Sequence, residues 1–143
     1  MKGLTDDMHF PAARIKEYTA AFLSGGIIYA LIEILFRGYT YWSMALTGGI
    51  CMVLMYRHYT RHPQEGLLTK CLVGMLIITS MELISGVILN IILRQNVWDY
   101  SDMYLNFIGQ ICPTFCAAWF LLSVPAAFLT EFISSRSEAH EFL

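Results

Sequence analysis

The sequence predicts an all-α integral membrane protein, a four-helix transmembrane bundle that forms a single domain over residues 1–143. Composition is the first observation behind this prediction, because the chain is 57% hydrophobic and only 14% charged, a balance unusual in soluble domains. The second is the presence of four apolar runs, each comparable to the roughly 20 helical residues that cross a bilayer. Backbone amides in hydrocarbon must be bonded internally, so these runs are expected to be helices.

The four predicted spans are unequal in length and clarity. They cover residues 19–36, 43–56, 71–93 and 107–128; the second is short and the third is the clearest. Before the first, Pro11 suits the opening position of a helix, and Arg14, Lys16 and Tyr18 are typical of the headgroup level. This segment is either a separate N-terminal interfacial helix or an extension of the first span into water.

Several residues predict details of these helices. Gly25-Gly26 and Gly48-Gly49 predict close helix packing, because small residues let backbones approach. Pro113 and Pro125 fall within the fourth run and predict bends there. The polar tail after Glu131 is expected to fray.

The distribution of basic residues predicts the orientation. Seven lie before the first span, between the second and third, or after the fourth: Lys2, Arg14, Lys16, Arg57, Arg61, Lys70 and Arg136. The opposite side holds only Arg37 and Arg94. The positive-inside rule therefore predicts that the N- and C-termini and the 57–70 loop are cytoplasmic. We expect the protein to lie in the plasma membrane.

Other function classes receive little support. The net charge of −2 and the lack of a basic tract argue against nucleic acid as a partner. The four cysteines lie in apolar stretches, which favours buried, reduced thiols. The sequence contains no GxxxxGK[ST], GxSxG or HExxH motif, so we expect neither an enzyme nor a cofactor. His58 and His62 have an i,i+4 spacing that can bind metal, but with Arg57 and Arg61 beside them headgroup contact is the favoured interpretation.

Two acidic side chains lie inside predicted spans, where ionisable groups are rare and usually paired or functional. Each costs roughly 2.5–3.5 kcal/mol at bilayer depth on insertion scales. Glu33 is followed one turn later by Arg37, and such an i,i+4 pair satisfies itself. Glu82 is the only charged side chain between Cys71 and Leu93. Because it has no local basic partner, a functional role is favoured for it.

Helical periodicity groups these acids with other polar residues. The shared faces are Gly26, Tyr29, Glu33 and Arg37 on the first helix; Thr79, Glu82, Gly86 and Asn90 on the third; and Gln110 and Thr114 on the fourth. The topology places most of the polar side chains near the outer end, with Glu82 deeper. The outer connections carry Trp42, Trp98, Tyr100 and Tyr104, which are typical of an aromatic interface belt.

Two interpretations of this cluster stay open. In the first, it holds helices together at roughly 0.6 kcal/mol per interhelical hydrogen bond. In the second, it is an outward-opening polar pocket in which Glu82 takes up a proton or a cation. The candidate site residues are Glu82, Glu33, Arg37, Asn90, Gln110, Asp99, Trp98 and Tyr29. For Asp99, capping of a helix or turn is favoured over cation binding at the entrance.

The order of the polar residues resembles a known family. The segments that carry the likeness are Glu33-x-x-x-Arg37-Gly38-Tyr39-Thr40-x-Trp42-Ser43-Met44, Gly48-Gly49-x-Cys51, Glu82-x-x-x-Gly86-x-x-x-Asn90, Val97-Trp98-Asp99-Tyr100-Ser101, Asn106-x-x-Gly109-Gln110-Ile111-Cys112 and Trp119-x-x-Leu122-Ser123. They resemble the "putative ABC-transporter type IV" permease-like family of small multi-span membrane proteins, over roughly residues 22–125. Pro113-Thr114 departs from the plainer apolar pair expected there.

The resemblance implies a compact multi-span protein with a role in transport, and any ATPase would be a separate subunit. Together with Glu82, it favours a small transport or channel-like protein in the lipid bilayer that acts as a homo-oligomer, with a dimer preferred. The alternative is a non-catalytic structural or regulatory subunit of a membrane complex. A third hypothesis, a lipid-modifying enzyme with Glu82 or Asp99 as general base, lacks a visible nucleophile or metal set.

Overall fold

Four helices account for most of residues 12–141, the part of the chain that the computed structural model describes. They are α1 (Ala12–Arg37), α2 (Trp42–Arg61), α3 (Leu67–Gly86) and α4 (Pro113–Glu141). The end of α3 continues directly into π-helical turns over Val87–Ile92. Within the described residues there is no strand, and only an isolated bridge joins Phe107 to Ile111. The all-α prediction is confirmed for this part of the chain.

Three of the helices are long and apolar enough to cross a membrane: Arg14–Arg37, Leu67–Ile92 and Pro113–Ala139. Their outward faces carry large exposed apolar side chains, among them Leu35, Leu76 and Phe128. Water would not favour such surfaces, whereas lipid tails accommodate them. The protein is therefore membrane-embedded and in contact with the bilayer.

The second predicted span differs from the other three. At 20 residues, α2 is about 30 Å long, so it has the length to cross. Ten of its residues are buried inside the bundle, including Ser43, Thr47 and Tyr56. Because these residues face other helices and not lipid, α2 can be less apolar than the other three. A helix surrounded by other helices needs no continuous apolar face. Its crossing of the membrane stays a prediction.

The helices pack in two close pairs, α1 with α2 and α3 with α4, and α2 also contacts α3 and α4. Glycines form the seam between α1 and α2. A Cβ placed on Gly48 would lie 2.6 Å from the Cβ of Tyr29, and one on Gly49 would lie 2.8 Å from the ring of Phe22. The prediction of close packing at the Gly-Gly pairs is confirmed.

The ends of the helices correct several predictions. The fourth helix begins at Pro113 rather than near Phe107, because residues 107–112 form turns. Pro113 therefore opens the helix and does not bend its interior, although Pro125 does lie inside it. The tail after Glu131, for which we expected fraying, is helical as far as Glu141.

At the other end, α1 runs unbroken from Ala12. No separate interfacial helix precedes the first span within the described residues. Pro11, which we expected to open such a helix, lies outside them.

Candidate functional site

The first group of polar residues joins the end of α1 to the loop between α3 and α4. Glu33 and Arg37 form an ion pair of 2.9 Å, and the Thr40 hydroxyl donates to the same Glu33 oxygen at 3.0 Å. The Arg37 guanidinium also donates to the carbonyl of Val97 in the loop between α3 and α4. The predicted i,i+4 pair is confirmed, and it also holds the loop.

The same loop is bonded to the π-helical end of α3. The Asn90 amide group donates to Gln110 Oε1 at 2.8 Å, and its oxygen accepts the backbone N–H of Val97 at 2.7 Å. Trp98 Nε1 donates to the carbonyl of Gln110 at 3.1 Å. We call Glu33, Arg37, Thr40, Asn90, Val97, Trp98 and Gln110 the outer cluster, after the side of the membrane predicted for it from the basic residues. Its members bond to one another.

Unusual backbone conformations accompany this cluster. Arg94, Asn96, Leu105 and Ile108 all have positive φ between 47° and 53°, a region that costs about 1–3 kcal/mol for ordinary residues. Such strain persists only where surrounding contacts enforce it. The outer cluster supplies such contacts next to Asn96, through the bond of Val97 to Asn90, and at Ile108, whose carbonyl accepts from Gln110 Nε2. The turn that contains Leu105 is held by the side chain of Asn106.

Asp99 lies apart from the outer cluster on the exposed side of the loop. Its Oδ1 accepts the backbone N–H of Ser101 at 2.9 Å and also the Ser101 hydroxyl. These two bonds lower the pKa of the Asp99 carboxyl below its usual value. The arrangement is a side-chain-capped turn, as the favoured interpretation of this residue expected.

Glu82 occupies a second site, deeper and separate from the outer cluster. It is only 4% exposed, and each carboxyl oxygen accepts one hydrogen bond. The Tyr100 hydroxyl donates to Oε1 and Trp119 Nε1 donates to Oε2, both at 2.9 Å. We call these three residues the Glu82 site.

The Glu82 site contains no basic residue. Among the described side chains, no Lys, Arg or His lies within ion-pair distance of Glu82. Aromatic rings enclose the carboxyl instead: Tyr100 stacks on Phe115 at 4.6 Å between ring centroids, and Phe115 contacts Trp119 at 5.9 Å. Burial, together with the neighbouring carboxyl, raises the pKa of the Tyr100 hydroxyl, which therefore stays protonated and able to donate.

A cavity of about 300 Å³, partly open to the surface of the bundle, lies among the four helices. Its walls are mainly apolar and include Gly25, Tyr29, Cys51, Ile78, Leu122 and Ala126. We call it the chamber. Its volume is at the lower end of the range for ligand pockets, roughly 300–1,000 Å³.

The chamber ends one helical turn from the Glu82 site. Ile78 precedes Glu82 by four residues on α3, and Leu122 follows Trp119 by three on α4, so in each case the two side chains are neighbours on one helix face. Tyr29 lies between the two sites, because it lines the chamber and its ring is 6.2 Å from that of Trp119.

The structure thus divides the residues that we expected to form one site. Glu33, Arg37, Asn90, Gln110 and Trp98 meet in the outer cluster, whereas Glu82 and Tyr29 lie by the chamber and Asp99 stays on the surface. Gln110 lies in the loop and not on the fourth helix, since that helix starts three residues later. Trp98 and Tyr100 direct their polar atoms inward, whereas Trp42 and Tyr104 are 79% and 80% exposed. The aromatic interface belt stays a prediction.

Sequence reasoning missed three features of the site. It did not identify Tyr100 and Trp119 as the partners of Glu82, although both stand in the segments that carry the family likeness. It also missed the chamber. The cysteines behave as expected: all four are free thiols, and three are buried.

Comparison with known proteins supports the likeness drawn from the residues. The model of a family described as "Putative ABC-transporter type IV" matches residues 25–140. That range includes the outer cluster, the Glu82 site and the chamber. Searches of curated proteins and of solved structures gave no match.

Proposed function

Because the chain belongs to the family described as "Putative ABC-transporter type IV", we propose that it is a small transport protein of the plasma membrane. In this proposal the chamber receives the transported species and Glu82 is the ionisable group of the path. The observation that carries it is a buried carboxyl held by two neutral donors with no cation beside it. Intramembrane acids of this kind commonly mark proton or ion pathways.

The two donors differ in a way that suits a change of protonation. Trp Nε1–H can only donate, whereas a Tyr hydroxyl can donate or accept. When Glu82 is ionised, Trp119 and Tyr100 both donate to it. When Glu82 is protonated on Oε1, its O–H donates to Tyr100 after the hydroxyl rotates, and Trp119 keeps its bond. The carboxyl of Glu82 is then hydrogen-bonded in both states without a counter-charge.

Tyr100 also connects Glu82 to the outer loop. It is the middle residue of the turn capped by Asp99, and its backbone N–H donates to the carbonyl of Gly109 at 2.8 Å. A change in the bond between Tyr100 and Glu82 therefore acts on the segment that closes the outer end. We propose that the proton state of Glu82 controls opening of the chamber to the outside.

The proposal includes partners and orientation. The seven-to-two distribution of basic residues supports cytoplasmic termini, and the ion pair of Arg37 with Glu33 leaves even less free positive charge outside. Four helices are few to enclose a path, so a homodimer whose subunit interface lies near α1 and α3 would complete it. ATP-driven movement would need a separate ATPase subunit, because no P-loop motif occurs in these 143 residues.

Proton flux in liposomes tests the role of Glu82. We expect wild-type protein to carry protons under an imposed membrane potential, read with a trapped pH-sensitive dye, and Glu82→Gln to lose this flux. Glu131→Gln, the same change at an exposed position of α4, should behave as wild type. Equal flux in wild type and Glu82→Gln would refute the role of this carboxyl.

A specific observation favours a second candidate, the structural or regulatory subunit. Among the described residues, every buried side-chain nitrogen or oxygen has a hydrogen-bond partner, as expected of a network that serves folding alone. Asn90→Ala leaves Gln110 Oε1 and the Val97 N–H without these partners and should cost about 1–3 kcal/mol. If that stability is lost while flux in liposomes is absent even for wild type, the structural function is preferred.

A further inference from the structure

The loop between α2 and α3 gathers three metal-ligating side chains that the proposed function does not use. His58 lies in the last turn of α2, His62 caps that helix, and Glu65 lies two residues before α3 begins. One ligand atom from each lies within 4.8 Å of the others. The sequence presents only the pair of histidines, and the structure adds the carboxylate.

Local chain geometry brings Glu65 back to the helix. The backbone N–H of His62 donates to the carbonyl of His58 at 3.0 Å, and that of Glu65 donates to the carbonyl of His62 at 3.2 Å. Pro63 occupies the second position of the resulting turn, where its fixed φ is favourable. The turn therefore holds the three side chains together whether or not anything binds them.

The two histidine rings lie against each other at the end of α2. They stack with centroids 4.4 Å apart at an angle of 24°. His62 Nδ1 lies 3.0 Å from the carbonyl of His58, and since a carbonyl only accepts, Nδ1 carries the hydrogen and Nε2 keeps a lone pair. A histidine that donates one ring nitrogen to a carbonyl while the other faces a metal is a common second-shell arrangement.

The third ligand already lies beside the first. His58 Nε2 is 2.9 Å from Glu65 Oε2. Tetrahedral zinc, with bonds of about 2.0–2.2 Å, holds neighbouring ligand atoms roughly 3.3 Å apart. To hold zinc, the distance between His58 Nε2 and Glu65 Oε2 would increase only slightly, and the His62 ring would move toward these two atoms. Both His58 and Glu65 are partly shielded, with about a quarter of each side chain exposed.

We propose that His58, His62 and Glu65 form a binding site for a divalent transition metal of the zinc class. Two imidazoles with one carboxylate suit zinc and its neighbours, whereas Ca²⁺ and Mg²⁺ require oxygen ligands. The fourth position is left to water. Bound metal would clip the end of α2 to the start of α3, and this fixes the loop on the side of the membrane predicted to be cytoplasmic.

The neighbouring charges set a limit on the affinity. Arg57 and Arg61 each precede one of the histidines and are exposed, about 100° away around the helix. They lie outside the ligand set, but their charges oppose a cation. A single carboxylate also leaves the bound site net positive, so we expect a site weaker than the closed four-ligand sites of structural zinc.

Zinc titration of metal-free, full-length protein without a histidine tag tests the site. We expect calorimetry to give one Zn²⁺ per chain, and His62→Ala and Glu65→Gln each to weaken binding by about tenfold or more. Zn²⁺ should also raise the thermal midpoint of wild type and not of these variants. Glu138→Gln, at an exposed position of α4, is the matched control and should bind as wild type does.

The outcomes separate the site from its competitors. Absence of saturable Zn²⁺ binding by wild type, or equal binding by wild type and both variants, would refute it. If His62→Ala instead weakens binding to vesicles of anionic lipid while wild type binds no Zn²⁺, the histidines contact headgroups and the metal site is wrong. His58→Gln places an amide near the position of Nε2, so it can keep a hydrogen bond to Glu65, and it provides a folded ligand variant should His62→Ala fold poorly.

Discussion

At the scale of single residues, the notable feature is how Glu82 is accommodated. A buried carboxylate is usually balanced by a basic side chain, which fixes its charge. Here the balance is made by the Trp119 indole and the Tyr100 hydroxyl. Two neutral donors stabilise the anion but do not prevent it from taking up a proton. This is why we assign Glu82 to function and the ion-paired Glu33 to architecture.

Removal of one donor should weaken the protein without changing its shape. Trp119→Phe keeps a large ring but leaves Glu82 Oε2 without its bond, which should lower the free energy of unfolding by about 1–3 kcal/mol. Trp42→Phe is the control, because Trp42 is 79% exposed and forms no such bond. Denaturation in mixed detergent micelles measures both, and equal stability of the two variants would show that the Trp119 bond contributes nothing.

Residue-level prediction from the sequence succeeded where partners were local. Arg37 lies four residues after Glu33, so helix geometry alone predicted their contact. Tyr100 and Trp119 are 18 and 37 residues from Glu82, and no periodic pattern connects them. The sequence could identify the acid as lacking a local partner, but it could not supply the distant ones.

At the scale of elements, the α1–α2 seam depends on missing side chains. Gly48 lies where a Cβ would be 2.6 Å from Tyr29 Cβ and 3.0 Å from the carbonyl oxygen of Gly25. The two backbones are therefore as close as helices can pack. This seam positions Tyr29 and Cys51, which both line the chamber.

A methyl group at the seam should separate the helices. Gly48→Ala should cost about 1–3 kcal/mol by overpacking, seen as a lower unfolding midpoint in detergent. Gly66→Ala is the matched control, since a Cβ at that loop glycine would meet nothing within 4 Å. If Gly48→Ala were as stable as Gly66→Ala, the seam would be looser than the structure indicates.

Element boundaries show why hydropathy alone misplaced the fourth helix. Residues 107–112 are apolar enough to look like its first turns, but Ile108 and Gly109 both have positive φ. Left-handed residues interrupt a right-handed helix, and Pro113 then provides a suitable first position. Gln110 consequently belongs to the loop, where it can reach Asn90. The apolar composition identified the stretch of residues 107–128, but it did not show that the helix begins only at Pro113.

At the scale of the whole molecule, the central question is whether α2 crosses the membrane. Its length permits crossing, and its burial explains its reduced apolarity. We predict that Tyr39→Cys and Gln64→Cys, at its two flanks, react from opposite sides with an impermeant maleimide, in a background lacking the native cysteines. Asp102→Cys should react with the maleimide from the outside, as Tyr39→Cys does. Labelling of both flanks from one side would exclude a fourth crossing.

The chamber could not be predicted from the sequence. Its wall residues come from all four helices and are ordinary apolar side chains, apart from Tyr29 and Cys51. Nothing in their local pattern distinguishes a cavity wall from a filled core, because a cavity is defined by how helices pack. The sequence therefore predicted the bundle and its deepest acid, but not the space beside that acid.

Filling the chamber tests the proposed transport path most directly. Ala126 lines it, whereas Ala118 lies on the exposed face of the same helix. We predict that Ala126→Phe abolishes flux in liposomes while Ala118→Phe keeps the flux of wild type, with both variants folded by thermal melting. Undiminished flux through folded Ala126→Phe protein would contradict the account, since the transported species would then travel by a route that avoids the chamber.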